Sequence, residues 1–320
     1  MLAALVDFGS EHSFQEASKI FQRHYKFSIS DSTIRRVTKS LGSNAEKFIS
    51  NKLIQFENCN QNQTQTAPIQ ETIFLGFDGC SIRTGKLKAI ESSTVKSKKK
   101  RYEEWKDVRL GFVKEKSENG KKWFIGGLKS YPQLMGELFN LALGKGMNEF
   151  TKPVATADGG NGIYEEADCQ FNDLQFILDF YHFVKHLHAT AEAMCLGKEL
   201  AKIWVEHKKE LAWEGKIEEL KDSLREEYKR TDIDRIRQLI GYIERFQDCI
   251  SYGEYKELGY PIGSGEVESS HRYITQKRLK IAGACWLQES INPMLALRVL
   301  KANDWWDEFW SLQQTKLNAA

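Results

Sequence analysis

From Phe183 to about Tyr252 the apolar residues of this chain recur only at three- and four-residue spacing, whereas the stretch before them alternates between strand-like and helix-like patterns. Ile217, Leu220 and Leu224 mark one stripe, and Ile236, Leu239, Ile240, Ile243 and Ile250 mark another. Glu, Lys and Arg fill the other faces. Such stripes predict helix-on-helix packing, with the interleaved charges as solvated faces. The segment 183–258 therefore reads as an all-helical insertion into a fold of a different kind.

That fold is legible on the insertion's N-terminal side. Thr72–Phe77, Ser92–Val95, Val108–Val113 and Lys122–Ile125 are short, rich in β-branched or aromatic residues, and divided by polar or glycine-bearing stretches, the pattern of a three- or four-stranded antiparallel meander. Leu134, Leu138, Phe139 and Leu141 then mark a helix. The order continues as strand (Pro153–Ala157), helix (Gly162–Ala167), strand (Leu174–Leu178) and a helix from Tyr181 onward, the alternation of an α/β sheet.

The front of the chain is helical. Phe14, Ala17, Ile20 and Phe21 follow amphipathic spacing, and Asp31-Ser32-Thr33 offers caps for a second helix, Thr33–Leu41. A helix pair whose second member carries Thr33, Arg35, Arg36 and Lys39 fits a helix-turn-helix presenting those residues to a DNA major groove, and it equally fits plain packing. Asn58–Pro68, rich in Asn, Gln and Thr, reads as a linker. The expected organisation is a helical region 1–57, a linker 58–70, the first part of an α/β domain 71–182, the insertion 183–258, and a C-terminal part 259–320.

Bulk charge says little about partners, because 46 basic residues nearly balance 44 acidic ones for a net +2. Nucleic-acid affinity would have to come from local patches. One is Lys96–Arg101, including Lys98, Lys99 and Lys100, which is either a solvated hairpin tip or a phosphate-contacting patch. Another follows Gly263 and Gly265, where Arg272, Lys277, Arg278 and Lys280 trail an acid-rich turn. Trp286, Trp305, Trp306 and Trp310 crowd the C-terminal part and read as core. The six cysteines are scattered without C-x-x-C spacing, which argues against zinc and for reduced thiols. No apolar run approaches a membrane span, so a cytoplasmic protein is expected, with no membrane partner.

Two aspartates follow apolar β-rich segments, at Phe77-Asp78-Gly79 and Ala157-Asp158-Gly159, and acids recur at Glu266 and Glu268. Either Asp-Gly alone is a hairpin-turn signal. In a ribonuclease-H-like sheet, however, the first and fourth strands lie side by side, so both strand ends would meet and a later helix would add a third carboxylate. Three such groups suit two Mg²⁺ or Mn²⁺ ions and phosphodiester chemistry.

The run Gly259-Tyr-Pro-Ile-Gly-Ser-Gly-Glu-Val-Glu-Ser-Ser-His-Arg272, continued by Gln276-Lys-Arg-Leu-Lys-Ile-Ala-Gly-Ala-Cys-Trp286 and Leu295-Ala-Leu-Arg298, resembles the C-terminal signature of Kra-type insertion-sequence transposases. These belong with the Mutator-like DDE transposases. The resemblance extends from Ser13 to Trp310. It implies an α/β, ribonuclease-H-like mixed sheet interrupted by a helical insertion and preceded by a small helical region. It further implies a DNA transposase of a bacterial insertion sequence that cuts element ends and joins the 3′-hydroxyl to target DNA. Asp78 and Asp158 fall at the family's two aspartates, and its Glu-Ser pair matches Glu268-Ser269, leaving Glu266 as an accessory candidate. Asp179-Phe-Tyr-His182 resembles the superfamily's C/D-x-x-H motif, which makes Asp179 and His182 accessory residues at the site's edge. Double-stranded DNA, both element ends and target, would be the partner, with a homodimer in the complex and association with the nucleoid. Related enzymes carry a longer region before the segment matching Ser13–Lys39, which implies a shortened copy. The alternatives are a structure-selective nuclease of the same carboxylate logic, a non-catalytic DNA-binding remnant, and a helical scaffold protein.

Overall fold

A computed structural model describes residues 1–61, 67–89, 99–117, 120–160 and 162–318. Helices α1 (Leu2–Glu11), α2 (Phe14–Tyr25) and α3 (Asp31–Gln61) come first. Strands β1 (Thr72–Ala89), β2 (Lys99–Glu115) and β3 (Lys122–Gly127) lead to α4 (Tyr131–Leu143), β4 (Lys152–Ala157), α5 (Ile163–Gln170) and β5 (Gln175–Leu178). The helical block is α6 (Phe180–Ala193), α7 (Lys198–Trp213), α8 (Ile217–Thr231), α9 (Asp234–Arg245) and α10 (Tyr252–Glu257). It is followed by α11 (Gly265–Ser270), a π-helix (His271–Gln276), α12 (Lys277–Leu279), α13 (Ile291–Ala302) and α14 (Trp306–Asn318).

The strands form a five-stranded mixed sheet of order β3-β2-β1-β4-β5. β1 runs parallel to β4, β4 parallel to β5, and β2 antiparallel to β3. The first and fourth strands are therefore neighbours, as expected, in a mixed α/β protein. Residues Thr72–Phe77 are all buried, the signature of a strand covered on both faces. No helix among the described residues is long and apolar enough to cross a membrane.

The chain divides into two compact units. The first comprises Met1–Glu71, Phe77–Thr151 and Val267–Ala320, and the second Thr72–Gly76 and Lys152–Glu266. The helical region 1–57 thus falls inside the first unit, together with most of the strands of the expected α/β domain.

In the first unit, Leu5, Ala17, Phe21 and Ile34 from α1, α2 and α3 share a small core with Phe8, Phe14, Ile29 and Val37. The expected helix Thr33–Leu41 instead continues to Gln61, so the first residues of the expected linker are helical. Gly42 does not end it because that glycine lies against α13. A Cβ there would come within 2.4 Å of the Pro293 carbonyl oxygen, so glycine permits the close helix crossing. Asn303 seals the edge strand β3 by taking Phe124 N–H at 2.7 Å and donating to Phe124 O at 2.9 Å. Trp286, Trp305 and Trp310 are buried, as their density suggested.

In the second unit, Tyr164, Phe176 and Phe246 pack as a ring cluster where α5, β5 and the end of α9 meet. The helical insertion is as expected, but two of its charges are buried rather than solvated, Lys208 and Lys221. Lys208 is only 2% exposed. Its ammonium is matched by Glu227 at 2.9 Å and Ser223 at 2.7 Å, which makes the burial tolerable.

Candidate functional site

Asp78 does not sit at a strand end. β1 runs on to Ala89, and the Asp-Gly turn reading fails because the strand's second half has partners of its own. Arg83 pairs with Glu103, Ser81 donates to Asp107, and Thr84 donates to the Glu104 carbonyl. Beyond them Gly85 N–H donates to Trp286 O at 2.9 Å while Trp286 N–H donates to Arg83 O at 3.0 Å. Asp78 is half-buried, and its Oδ1 accepts Gly79 N–H at 2.7 Å.

The segment after α11 is tied to this aspartate. His271 is 1% exposed and its Nε2 lies 3.2 Å from Asp78 O. A carbonyl only accepts, so Nε2 carries the proton, which leaves Nδ1 to accept from Thr275 Oγ1 at 3.2 Å. Burial lowers the imidazole pKa, in keeping with this neutral tautomer. At about 100° per helical residue, Glu268 lies about 60° around the axis from His271 and Glu266 about 140°. Glu268 thus shares a helix face with His271 more nearly than Glu266 does. Glu268 is exposed and Glu266 half-buried.

The π-helix between His271 and Gln276 is supported by Arg298. Its Nε donates to Ile274 O at 2.5 Å, its Nη2 donates to Tyr273 O, and its Nη1 donates to Ser10 O at 2.9 Å. Glu11 balances the charge at 2.9 Å. A wide turn leaves carbonyls without regular helical donors, and one buried guanidinium supplies them. Arg298 lay within the signature run, but its role is set by this distant packing.

In the second unit, β1 and β4 are in register with Gly76 opposite Thr156. Asp158 follows Thr156 by two residues, as Asp78 follows Gly76. Asp158 sits just past the end of β4, half-buried, and its Oδ1 accepts Gly160 N–H at 3.2 Å. Gly159 is covered by the insertion. A Cβ there would stand 2.7 Å from Phe246 Cε2 and 2.9 Å from Tyr242 Cε2. Tyr242 is a site neighbour that sequence reading missed. Its hydroxyl is buried without a hydrogen-bond partner among the described residues, and burial followed by the charges of Asp158 and Asp179 raises its pKa. In the sequence it lies within the helical insertion, outside the apolar stripes, with nothing to mark it as a site residue.

Asp179 is a clamp rather than an open acid. It is 3% exposed, and each oxygen takes a backbone N–H at 2.5 Å: Oδ1 that of His182, capping α6, and Oδ2 that of Ser264, just ahead of α11. The spacing between Asp179 and His182 is thus explained by a backbone cap. The His182 side chain instead lies 5.1 Å from the His186 ring. His186 stacks on Tyr242 at 4.4 Å, and its Nδ1 is 3.3 Å from Arg235. Burial first, then the charges of His182 and Arg235, depress the His186 pKa to about 4.

The predicted DNA contacts divide. Arg35, Arg36, Arg272, Lys277 and Lys280 are exposed, and Thr33 and Lys39 half-exposed. Lys277 pairs with Glu11 at 2.9 Å. Arg278 corrects the expectation of an exposed contact: it is 3% exposed, with Nε donating to Gly9 O at 3.2 Å. Lys99 and Lys100 begin β2, while Lys98 and the expected strand Ser92–Val95 lie outside the described residues.

Asp78, Asp158 and Glu268 offer hard oxygen donors, which fit Mg²⁺ or Mn²⁺ in kind. Among the described residues no group of three or more His, Cys, Asp or Glu side chains is assembled to hold a metal ion. No family model matches the chain, and no curated protein matches it at a significant level.

Proposed function

We propose that this chain is a divalent-metal-dependent DNA transposase of the Kra-type, Mutator-like DDE kind, with a ribonuclease-H-like catalytic sheet. The observation that carries this reading is the parallel pairing of β1 with β4, in which Gly76 stands opposite Thr156, each two residues ahead of an aspartate. The tie between His271 and Asp78 supports it, because His271 lies one turn after Glu268.

In this reading Asp78, Asp158 and Glu268 hold two Mg²⁺ or Mn²⁺ ions. When bound, such ions activate a water or 3′-hydroxyl and stabilise the leaving oxygen of an in-line displacement. The chain's own contribution is positioning. His271 fixes the Asp78 backbone, Asp179 fixes the turn that opens α11, and Arg298 fixes the π-helix that follows. Arg35, Arg36, Arg272 and Lys280 supply cationic contacts to duplex DNA, both element ends and target. A homodimer that synapses two ends in the cytoplasm completes the proposal.

The test is an assay with a labelled element end, a target duplex and Mg²⁺. Joined product supports the transposase. Cleavage without joining indicates a structure-selective nuclease instead. If Asp158→Asn leaves every measurable activity unchanged while DNA is still bound, the chain is a DNA-binding remnant.

A further inference from the structure

Two basic sets that lie far apart in sequence meet in the first unit. A cavity of about 520 Å³ is lined by Arg35, Arg36 and Lys39 from the start of α3, Arg278 from α12, Phe14 from α2, and Trp286. Its size suits a small ligand or a segment of a larger one. Arg35 and Arg36 form no ion pair or side-chain hydrogen bond among the described residues, and Lys39 is paired only loosely, with exposed Glu289 at 3.4 Å.

Arg278 makes this a built site rather than a cationic surface. Its guanidinium carbon lies 4.7 Å from the Phe14 ring centre and 4.8 Å from that of Trp286, so two aromatic faces hold it in place. Nε is satisfied by Gly9 O, but Nη2 is buried with no acceptor among the described residues. A buried guanidinium nitrogen without an acceptor is costly unless a ligand supplies one. Burial, then the neighbouring Arg298 charge, lowers the Arg278 pKa to about 10, which leaves it cationic at neutral pH. Trp286 also bonds the backbone of β1 at Arg83 and Gly85, so the cavity wall is braced by the strand that carries Asp78.

We propose that this cavity seats the phosphodiester backbone of DNA, with Arg278 as a fixed oxyanion donor and Arg35, Arg36 and Lys39 as its cationic rim. The inference rests on the DNA-processing reading above and gives it a specific anchoring point. Four donors of one charge around an aromatic-walled cavity favour phosphate over carboxylate, because guanidinium forks match phosphate oxygens.

Fluorescence anisotropy with the full chain tests it, using a labelled 20-base-pair duplex, a labelled 12-nucleotide single strand and inorganic phosphate as competitor. The variants are Arg35→Glu/Arg36→Glu, Arg278→Lys, and Lys198→Glu/Lys202→Glu as an equal charge change on α7. Arg35→Glu/Arg36→Glu should weaken binding at least about tenfold and reduce the slope of log affinity against log salt by about 2. Arg278→Lys, which keeps the charge and loses the fork, should weaken binding several-fold, with its melting curve recorded alongside. Should that variant misfold, the exposed pair still decides the matter. Competition by millimolar phosphate supports the shared chemistry, and the two labelled probes distinguish a seat for duplex from one for single strands.

The proposal is overturned if Arg35→Glu/Arg36→Glu binds like the parent, or if the α7 variant loses as much. It is also overturned if phosphate binds but DNA does not, or if a polyglutamate peptide binds as tightly as the duplex. Failure here with joined product still formed removes the cavity assignment alone. Activity that survives Asp158→Asn removes the catalytic reading and leaves the cavity standing.

Discussion

The dipeptide Asp-Gly occurs at Asp78-Gly79 and Asp158-Gly159, and the two copies are built differently. Asp78 lies within a strand that continues for eleven more residues to Ala89, and its carbonyl is held by a buried histidine. Asp158 lies beyond the end of its strand, under the roof that α9 makes with Tyr242 and Phe246. The first is fixed by backbone continuity and the second by a lid of side chains from the insertion. A helical insertion here is more than a spacer, since it shapes the loop that carries the second acid.

The largest effect should come from the acids themselves. Asp78→Asn and Asp158→Asn are each expected to lower strand cleavage by more than about 100-fold, about 2.7 kcal/mol, with DNA binding kept. Equal losses measured in a gel-based cleavage assay would mean that the two differently built stations serve one chemistry.

Next comes the clamp beside the second station. Asp179→Ala removes a helix cap and strands the Ser264 N–H, and should cost about 2 to 3 kcal/mol in urea unfolding. A neutral result would show that the loop ahead of α11 is held by other contacts.

The glycines separate the stations most directly. Gly159→Ala forces a Cβ into Phe246 and Tyr242 and should destabilise by about 1 to 3 kcal/mol. At Gly79 the nearest atom to such a Cβ is Tyr131 Oη at 3.6 Å, ordinary contact, so Gly79→Ala should stay within about 0.5 kcal/mol. Equal costs would break the comparison.

The smallest effect is on pH. His186 faces His182, Arg235 and Tyr242, and its folded pKa of about 4 lies below the unfolded value near 6.5. The unfolded chain therefore binds the extra proton first. The contribution is fully present above about pH 6.5 and is lost as pH falls toward about 4. Because the ring is only partly buried, the effect is screened and small. His186→Gln should flatten this part of the stability profile, measured by denaturation between pH 4 and 7.

Much of this architecture is readable without coordinates. The bounds of β4 and β5 and the helical insertion follow from local pattern, because each depends on neighbours in sequence, whereas the adjacency of the first and fourth strands is expected only from a ribonuclease-H-like strand order. The misreadings share a different cause. β1 passes through Asp78-Gly79 because Glu103, Asp107 and Trp286 hold its second half, and α3 passes through Gly42 because Pro293 needs the space. Arg278 resembles any surface cation until Phe14, Trp286 and Gly9 surround it. Each depends on partners remote in sequence, which no local pattern encodes. The candidate acids were found by motif, whereas Tyr242 and the clamp role of Asp179 emerged only from packing.

The wide turn at His271–Gln276 acts as a phase shifter. A π turn accommodates one residue more than an α turn, so every side chain after it is rotated by about 100° from where an unbroken α-helix would carry it. Arg278 thereby takes the direction that Lys277 would otherwise face, and Arg298 maintains the offset from outside. Closing this turn to a regular α turn without removing a residue would swing Arg278 away from Gly9, whereas deleting one residue from it would restore an α-helix that leaves Arg278 on the same side. Which cation faces inward is therefore a matter of residue count, and the wide turn is the place where one residue can be lost without turning the cations over.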